Sequence, residues 1–255
     1  ERTNMQLIPI ATHSRALACV ATLLASNLAG AATLTAATCA RADVSAKLAS
    51  AVPGDTIRVP AGTCNWSGDV SISGVQLVGA GNSTSGTIIT AGKVNITKHS
   101  SQYTRLSGFR FSGTDQHISA GGSASAKPYV IDNNYVRSDV SGLAIQWRAN
   151  GGLVHHNDFF AVNPTSNDIF NIPTDEDWSQ APSLGADDAS GERNIYIEDN
   201  TVPNISETGP DGDMGARLVI RGNTYVDSSI VFHGGYPADS SPNGGTRHFE
   251  VYNNR

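Results

Sequence analysis

Side chains able to move a proton or hold an anion gather in the second half of this 255-residue chain: Arg148, Arg217, Arg221, His233, Arg247 and His248. Histidine exchanges a proton near neutral pH, so His233 is the leading proton-transfer group, with Arg217 beside it. Arg221 and Arg247 suit a second task, gripping a carboxylate through the guanidinium fork. Acids crowd the same region as Asp175, Glu176, Asp177, Asp187, Asp188, Asp211 and Asp213. Asp211-Gly212-Asp213 offers oxygen ligands for Ca²⁺, although it lacks the spacing of a dedicated calcium loop and ordinary solvated turn acidity is the better explanation. Two acids flanking a bound sugar would instead support hydrolysis. Sugar rings have apolar faces, and Trp147, Trp178, Tyr196 and Tyr236 could stack on them, with Arg148 close by. Trp178 and Tyr236 sit in polar stretches and are the better platforms. Solvated faces also carry many Arg and His residues, so placement has to decide between function and mere exposure.

The elements that would place these groups repeat. An aliphatic residue, two variable residues and an asparagine recur as Ile131 to Asn134, Val154 to Asn157, Ile197 to Asn200, Ile220 to Asn223 and Val251 to Asn254. The asparagines are separated by 23, 43, 23 and 31 positions. A base period of that size with short alternating strands is the signature of a solenoid. If each copy is one coil, Asn134, Asn157, Asn200, Asn223 and Asn254 stack as a ladder, each amide bonding the coils above and below. Phe109 holds the equivalent place in an earlier coil.

Each coil then parses into three strands. With the aliphatic residue inward, Asp132, His155, Glu198, Arg221 and Tyr252 form one outward column. Arg217 and Arg221, four apart, face outward together. First strands are expected at Gln116–Ser119, Ala144–Arg148, Asn167–Phe170, Pro203–Ser206 and Ile230–His233. Insertions are expected at Asn171–Arg193, Glu207–Ala216 and Gly234–Arg247, all between first and second strands and so on one edge. A helix over Asp43–Val52, with Asp43 as N-cap and Val44, Leu48 and Val52 on one face, would cover the first coil. The last repeat has no third strand after it, which reads as missing C-terminal coils.

Composition fits this plan. Twenty-six glycines suit short strands and tight turns. A net charge of −6 without a basic stripe argues against a nucleic-acid partner. From Met5, a basic flank and a short apolar run through Leu17–Ala25 lead to Ala29-Gly30-Ala31, the plan of a secretory signal peptide. Residues 1–31 are therefore set apart, with cleavage after Ala31, leaving a single β-helix domain over 32–255 and no membrane anchor. Export leaves Cys39 and Cys64 as an even pair, which implies one disulfide.

Several segments resemble a known group. Cys39 to Val44, Pro53 to Trp66 and Leu77 to Gly81, with Ile195 to Asn200, Gly215 to Asn223 and Phe232-His233-Gly234, are similar to secreted bacterial proteins of the pectin-lyase-like right-handed parallel β-helix superfamily. The resemblance implies an all-β right-handed solenoid and an extended polysaccharide as partner. It also implies a lyase acting on a uronic-acid polymer by β-elimination, the sugar carboxylate being neutralised by Ca²⁺ or by cationic side chains. The group also contains hydrolases and non-catalytic proteins, so a glycan-binding or structural surface module is the alternative. The polygalacturonase motif set is not present as a set, and neither is the arginine signature of the best-known pectate lyases.

Overall fold

The computed structural model describes residues 30–113, 117–122, 126–138, 145–147, 151–161, 168–173, 193–203, 208–213, 215–232, 245–246 and 248–255. Residues 1–29 of the expected signal peptide lie outside them. Short strands, all paired in parallel, wind into a β-solenoid of about 6 turns bounded by three sheets. Sheet I has seven strands, from Val70–Ser73 to Val231–Phe232. Sheet II has nine, from Thr33–Thr35 to His248–Tyr252, and sheet III has seven, from Gly62–Asn65 to Thr224–Val226. The chain visits them in the order II, III, I and then begins the next coil.

The repeated aliphatic residues build the core. Ile57, Leu77, Leu106, Ile131, Val154, Ile197 and Ile220 lie in register along sheet II, all fully buried. Each such burial contributes about 1.5–3 kcal/mol. Beside this stack, the Tyr129 ring occupies the space over Gly152 in the next coil. A Cβ there would lie 2.2 Å from the ring, so any larger residue would displace it.

Between sheets II and III the chain turns within two residues. The first is left-handed in five coils: Asn133 (φ 54°), His156 (φ 54°), Asp199 (φ 52°), Gly222 (φ 69°) and Asn253 (φ 56°). Asn, Asp, His and Gly are the types that tolerate this region. The second is the ladder asparagine. Oδ1 of each asparagine accepts from the backbone N–H and the Nδ2 of its predecessor, from Asn134 onward to Asn254, at 2.9–3.1 Å. The Nδ2 groups also donate to buried carbonyls such as Leu106 and Ile131. The series begins where Phe109 N–H meets Asn134 Oδ1 at 3.0 Å.

The N-terminal end is covered as expected, with shifted bounds. The helix spans Arg41–Ser50 and Ala40 occupies the cap without a side-chain bond. Asp43 sits in the first turn instead, where a carboxylate is favoured by the helix dipole and accepts from Thr38 Oγ1 at 2.5 Å. Val44 is buried and Leu48 packs on the core, whereas Val52 lies beyond the helix and is exposed. Cys39 and Cys64 form the disulfide, and the buried Trp66 indole donates to the Cys39 carbonyl at 2.8 Å.

One coil was parsed wrongly from sequence. Of the strand expected at Pro203–Ser206, only Pro203 lies within the described residues, and it ends a sheet III strand, Thr201–Pro203, while sheet I takes Thr208–Asp213. Thr208–Asp213, within the stretch expected as an insertion, is therefore a strand of the coil itself. The reason is spacing, since Asn200 and Asn223 are 23 apart, the base period, which leaves no surplus chain. The four other expected first strands appear in sheet I as Ile118–Gly121, Ile145–Trp147, Asp168–Pro173 and Val231–Phe232, close to their expected bounds. The two remaining long connections do join sheet I to sheet II.

Candidate functional site

The outward side of sheet II carries two columns of side chains in register. One runs Val78, Ser107, Asp132, His155, Glu198, Arg221, Tyr252, and the other Gln76, Arg105, Val130, Leu153, Tyr196, Val219, Glu250. The column predicted from the period-two rule is thus present in full. Neighbouring positions are one strand spacing apart, about 4.8 Å, so charged groups here interact from coil to coil.

Arg105 and Asp132 pair across two coils with Nε–Oδ1 at 2.7 Å and Nη2–Oδ2 at 2.6 Å. Asp132 also accepts from Ser107 Oγ and from Asn133 Nδ2. Burial alone would push the Asp132 carboxyl up, but these bonds and the Arg105 charge together hold it below its usual value. Three coils beyond Asp132, Arg221 Nη2 lies 2.5 Å from Glu198 Oε1 and Nη1 donates to the Tyr252 hydroxyl at 2.8 Å. Its guanidinium also stands 5.6 Å from the Tyr196 ring centroid and 6.0 Å from that of Tyr252, within cation–π range. The Tyr252 bond and the Glu198 charge raise the Arg221 pKa above its ordinary value, so this group holds its proton and suits anion binding rather than proton transfer.

Arg217 shares the strand and the outward parity of Arg221, with Ile220 inward, as its spacing requires. It is nevertheless buried, 3% exposed, with Nε donating to Asn194 Oδ1 at 3.4 Å. Its register partner is His248, whose Nε2 is 3.2 Å from Glu250 Oε1. Asp211 and Asp213 belong to an extended strand, not to a loop; Asp211 is buried and Asp213 half-buried. Gly245 bridges Asp213, and Thr246 Oγ1 donates to the Gly212 carbonyl at 2.5 Å, so the returning end of the last long connection packs on this corner. No group of three or more His, Cys, Asp or Glu is arranged to hold a metal among the described residues.

The structure brings Arg217, Arg221 and Tyr196 onto one sheet face. His233, Arg247, Arg148, Trp178 and Tyr236 lie outside the described residues, as do Asp175, Glu176, Asp177, Asp187 and Asp188. One pair went unrecognised in the sequence. His155 and His156 approach with Nδ1 atoms 2.8 Å apart and rings at 85°. The signal was available: two consecutive histidines immediately before a ladder asparagine place the second one at the left-handed turn.

No protein-family model matches the chain, and comparison with curated proteins and with solved structures returned no significant match.

Proposed function

We propose that this β-solenoid binds an extended polysaccharide along the outward face of sheet II and cleaves uronic-acid polymers there by β-elimination. The observation that carries the reading is the half-exposed run of Glu198, Arg221, Tyr252 and Tyr196. It joins a cation for a sugar carboxylate to two aromatic faces on one flat surface. The disulfide fits an exported protein, and no described helix is long and apolar enough to cross a membrane.

In the elimination, a base removes the proton next to the sugar carboxylate, and that electron pair becomes a carbon–carbon double bond. The glycosidic carbon–oxygen bond breaks, and the leaving oxygen takes a proton from an acid. His233 is the proposed base; Arg217, buried against Asn194, is the second candidate and would have to be uncovered to reach a sugar, with Arg221 or Arg247 neutralising the carboxylate. Ca²⁺ would add to that neutralisation if Asp211 and Asp213 contribute oxygens.

A binding-only module is the second reading. It is favoured by the engagement of Arg221 with Glu198 and Tyr252, which leaves its charge partly spent. The test incubates the protein with a panel of uronic-acid polysaccharides, with Ca²⁺ or with chelator, while following the ultraviolet absorbance of unsaturated uronates. A rise abolished in Arg217→Ala or His233→Ala supports elimination. Binding without any rise, weakened in Arg221→Ala and Tyr196→Ala, supports the module. Neither signal on any polymer refutes both.

A further inference from the structure

Consecutive residues of a strand point to opposite faces, so two adjacent histidines would ordinarily be kept apart. Here the strand ends at His155, and His156 enters the left-handed region at φ 54°. That turn swings the second ring back beside the first. The same geometry recurs one coil earlier, where Asn133 at φ 54° donates to the Asp132 carboxylate at 2.6 Å. The backbone of the solenoid therefore permits the approach at this turn, and the two side chains take it up here as Asn133 and Asp132 do.

The outcome is two nitrogen donors aimed at each other on the open surface, Nδ1 to Nδ1 at 2.8 Å. In the metal-free protein one nitrogen must carry a proton and the other must not. A tetrahedral cation with metal–nitrogen bonds of about 2.0–2.1 Å needs its two donors about 3.3 Å apart. A rotation of the exposed His156 ring relative to the half-buried His155 provides the difference.

We propose that His155 and His156 chelate a divalent transition metal of the zinc, nickel or copper class through their Nδ1 atoms. Imidazole suits these ions, whereas Ca²⁺ and Mg²⁺ demand oxygen ligands. The carboxylates nearest in register do not complete a protein-only cage. Asp132 is held by Arg105, Ser107 and Asn133, and Glu198 Oε1 is held by Arg221. Asp199 leans toward Gly222, where a Cβ would lie 2.5 Å from its Oδ1. The remaining coordination positions go to water, which makes the site open. It is independent of the glycan reading.

The test is calorimetric titration of the chelator-treated protein with Zn²⁺, repeated in excess Ca²⁺. The expected result is one equivalent bound through this pair, unaffected by Ca²⁺. His155→Ala and His156→Asn each remove that equivalent or weaken it about a hundredfold, the loss expected when a linked second donor is deleted. Asparagine is chosen at 156 because it tolerates the left-handed turn, and circular dichroism checks that each variant folds. Absence of Zn²⁺ binding overturns the proposal. So does an equivalent that survives either substitution, which would place the ion on other histidines.

Discussion

Asn157 sits in the middle of the ladder, and its replacement by alanine measures what the ladder contributes. Its Nδ2 donates to the Ile131 carbonyl at 2.9 Å and to Asn200 Oδ1 at 3.0 Å, and its Oδ1 accepts the Asn134 backbone N–H at 2.9 Å. Alanine leaves that N–H and the Ile131 carbonyl buried without these partners. Asn200 Oδ1 keeps the Asn157 backbone N–H at 3.0 Å, and Asn134 Nδ2 keeps the Leu106 carbonyl at 3.1 Å. Two buried orphaned groups at about 1–3 kcal/mol each give an expected loss of about 3–4 kcal/mol. Asn254→Ala removes comparable bonds, to the Ile220 carbonyl and from the Asn223 N–H, at the part-buried last rung. Water can replace them there, so about 1–2 kcal/mol is expected. Guanidinium unfolding followed by circular dichroism measures both, from midpoint shifts at unchanged slope. A loss below about 1 kcal/mol for Asn157→Ala would refute the reasoning, as would equal losses at the two positions.

Three further outcomes follow from two contacts. Reducing the Cys39–Cys64 bond, which closes a 25-residue separation, should lower stability by about 3 kcal/mol and expose the buried Trp66 to a fluorescence change; an unchanged unfolding midpoint in reductant would contradict this. Asp132 has a folded pKa below its unfolded value, so its contribution is full above the ordinary carboxylate range and is lost as pH falls through the depressed value. Asp132→Asn should therefore flatten the acid limb of the stability profile below about pH 4. At neutral pH, Arg105→Met should cost about 2–3 kcal/mol, less than for a fully buried pair because part of Arg105 meets solvent. An acid limb unchanged by Asp132→Asn would show that other carboxylates control it.

The features legible in the sequence were those that repeat. The Ile-x-x-Asn phrase fixed the ladder, the inward stack and the outward column, because a period-two strand allows each residue one face. Pro203 and its successors misled because they combine a strand end with polar residues, and the ladder spacing of 23 around them was the better guide. The burial of Arg217 was not legible. It depends on Asn194 and the surrounding corner, which are distant in sequence or enter through the return of a long connection. The His155–His156 approach was legible in principle, since the position before a ladder asparagine is the left-handed turn, but the outward column accounts for His155 alone.

The outward column on sheet II is also a graduated scale. From Val78 to Tyr252 it takes six steps of one strand spacing, about 29 Å in all. Every graduation differs: a valine, a serine, an acid, a histidine, an acid, an arginine and a tyrosine. A uniform backbone ladder beneath a non-uniform series of side chains breaks the translational degeneracy of the coil. Under the proposed binding mode, an oligomer shorter than the column meets the same spacing at every offset but different side chains, so sliding it by one coil changes its binding energy. One alignment is then preferred, and a single-residue change in the column would shift that frame without altering the coil.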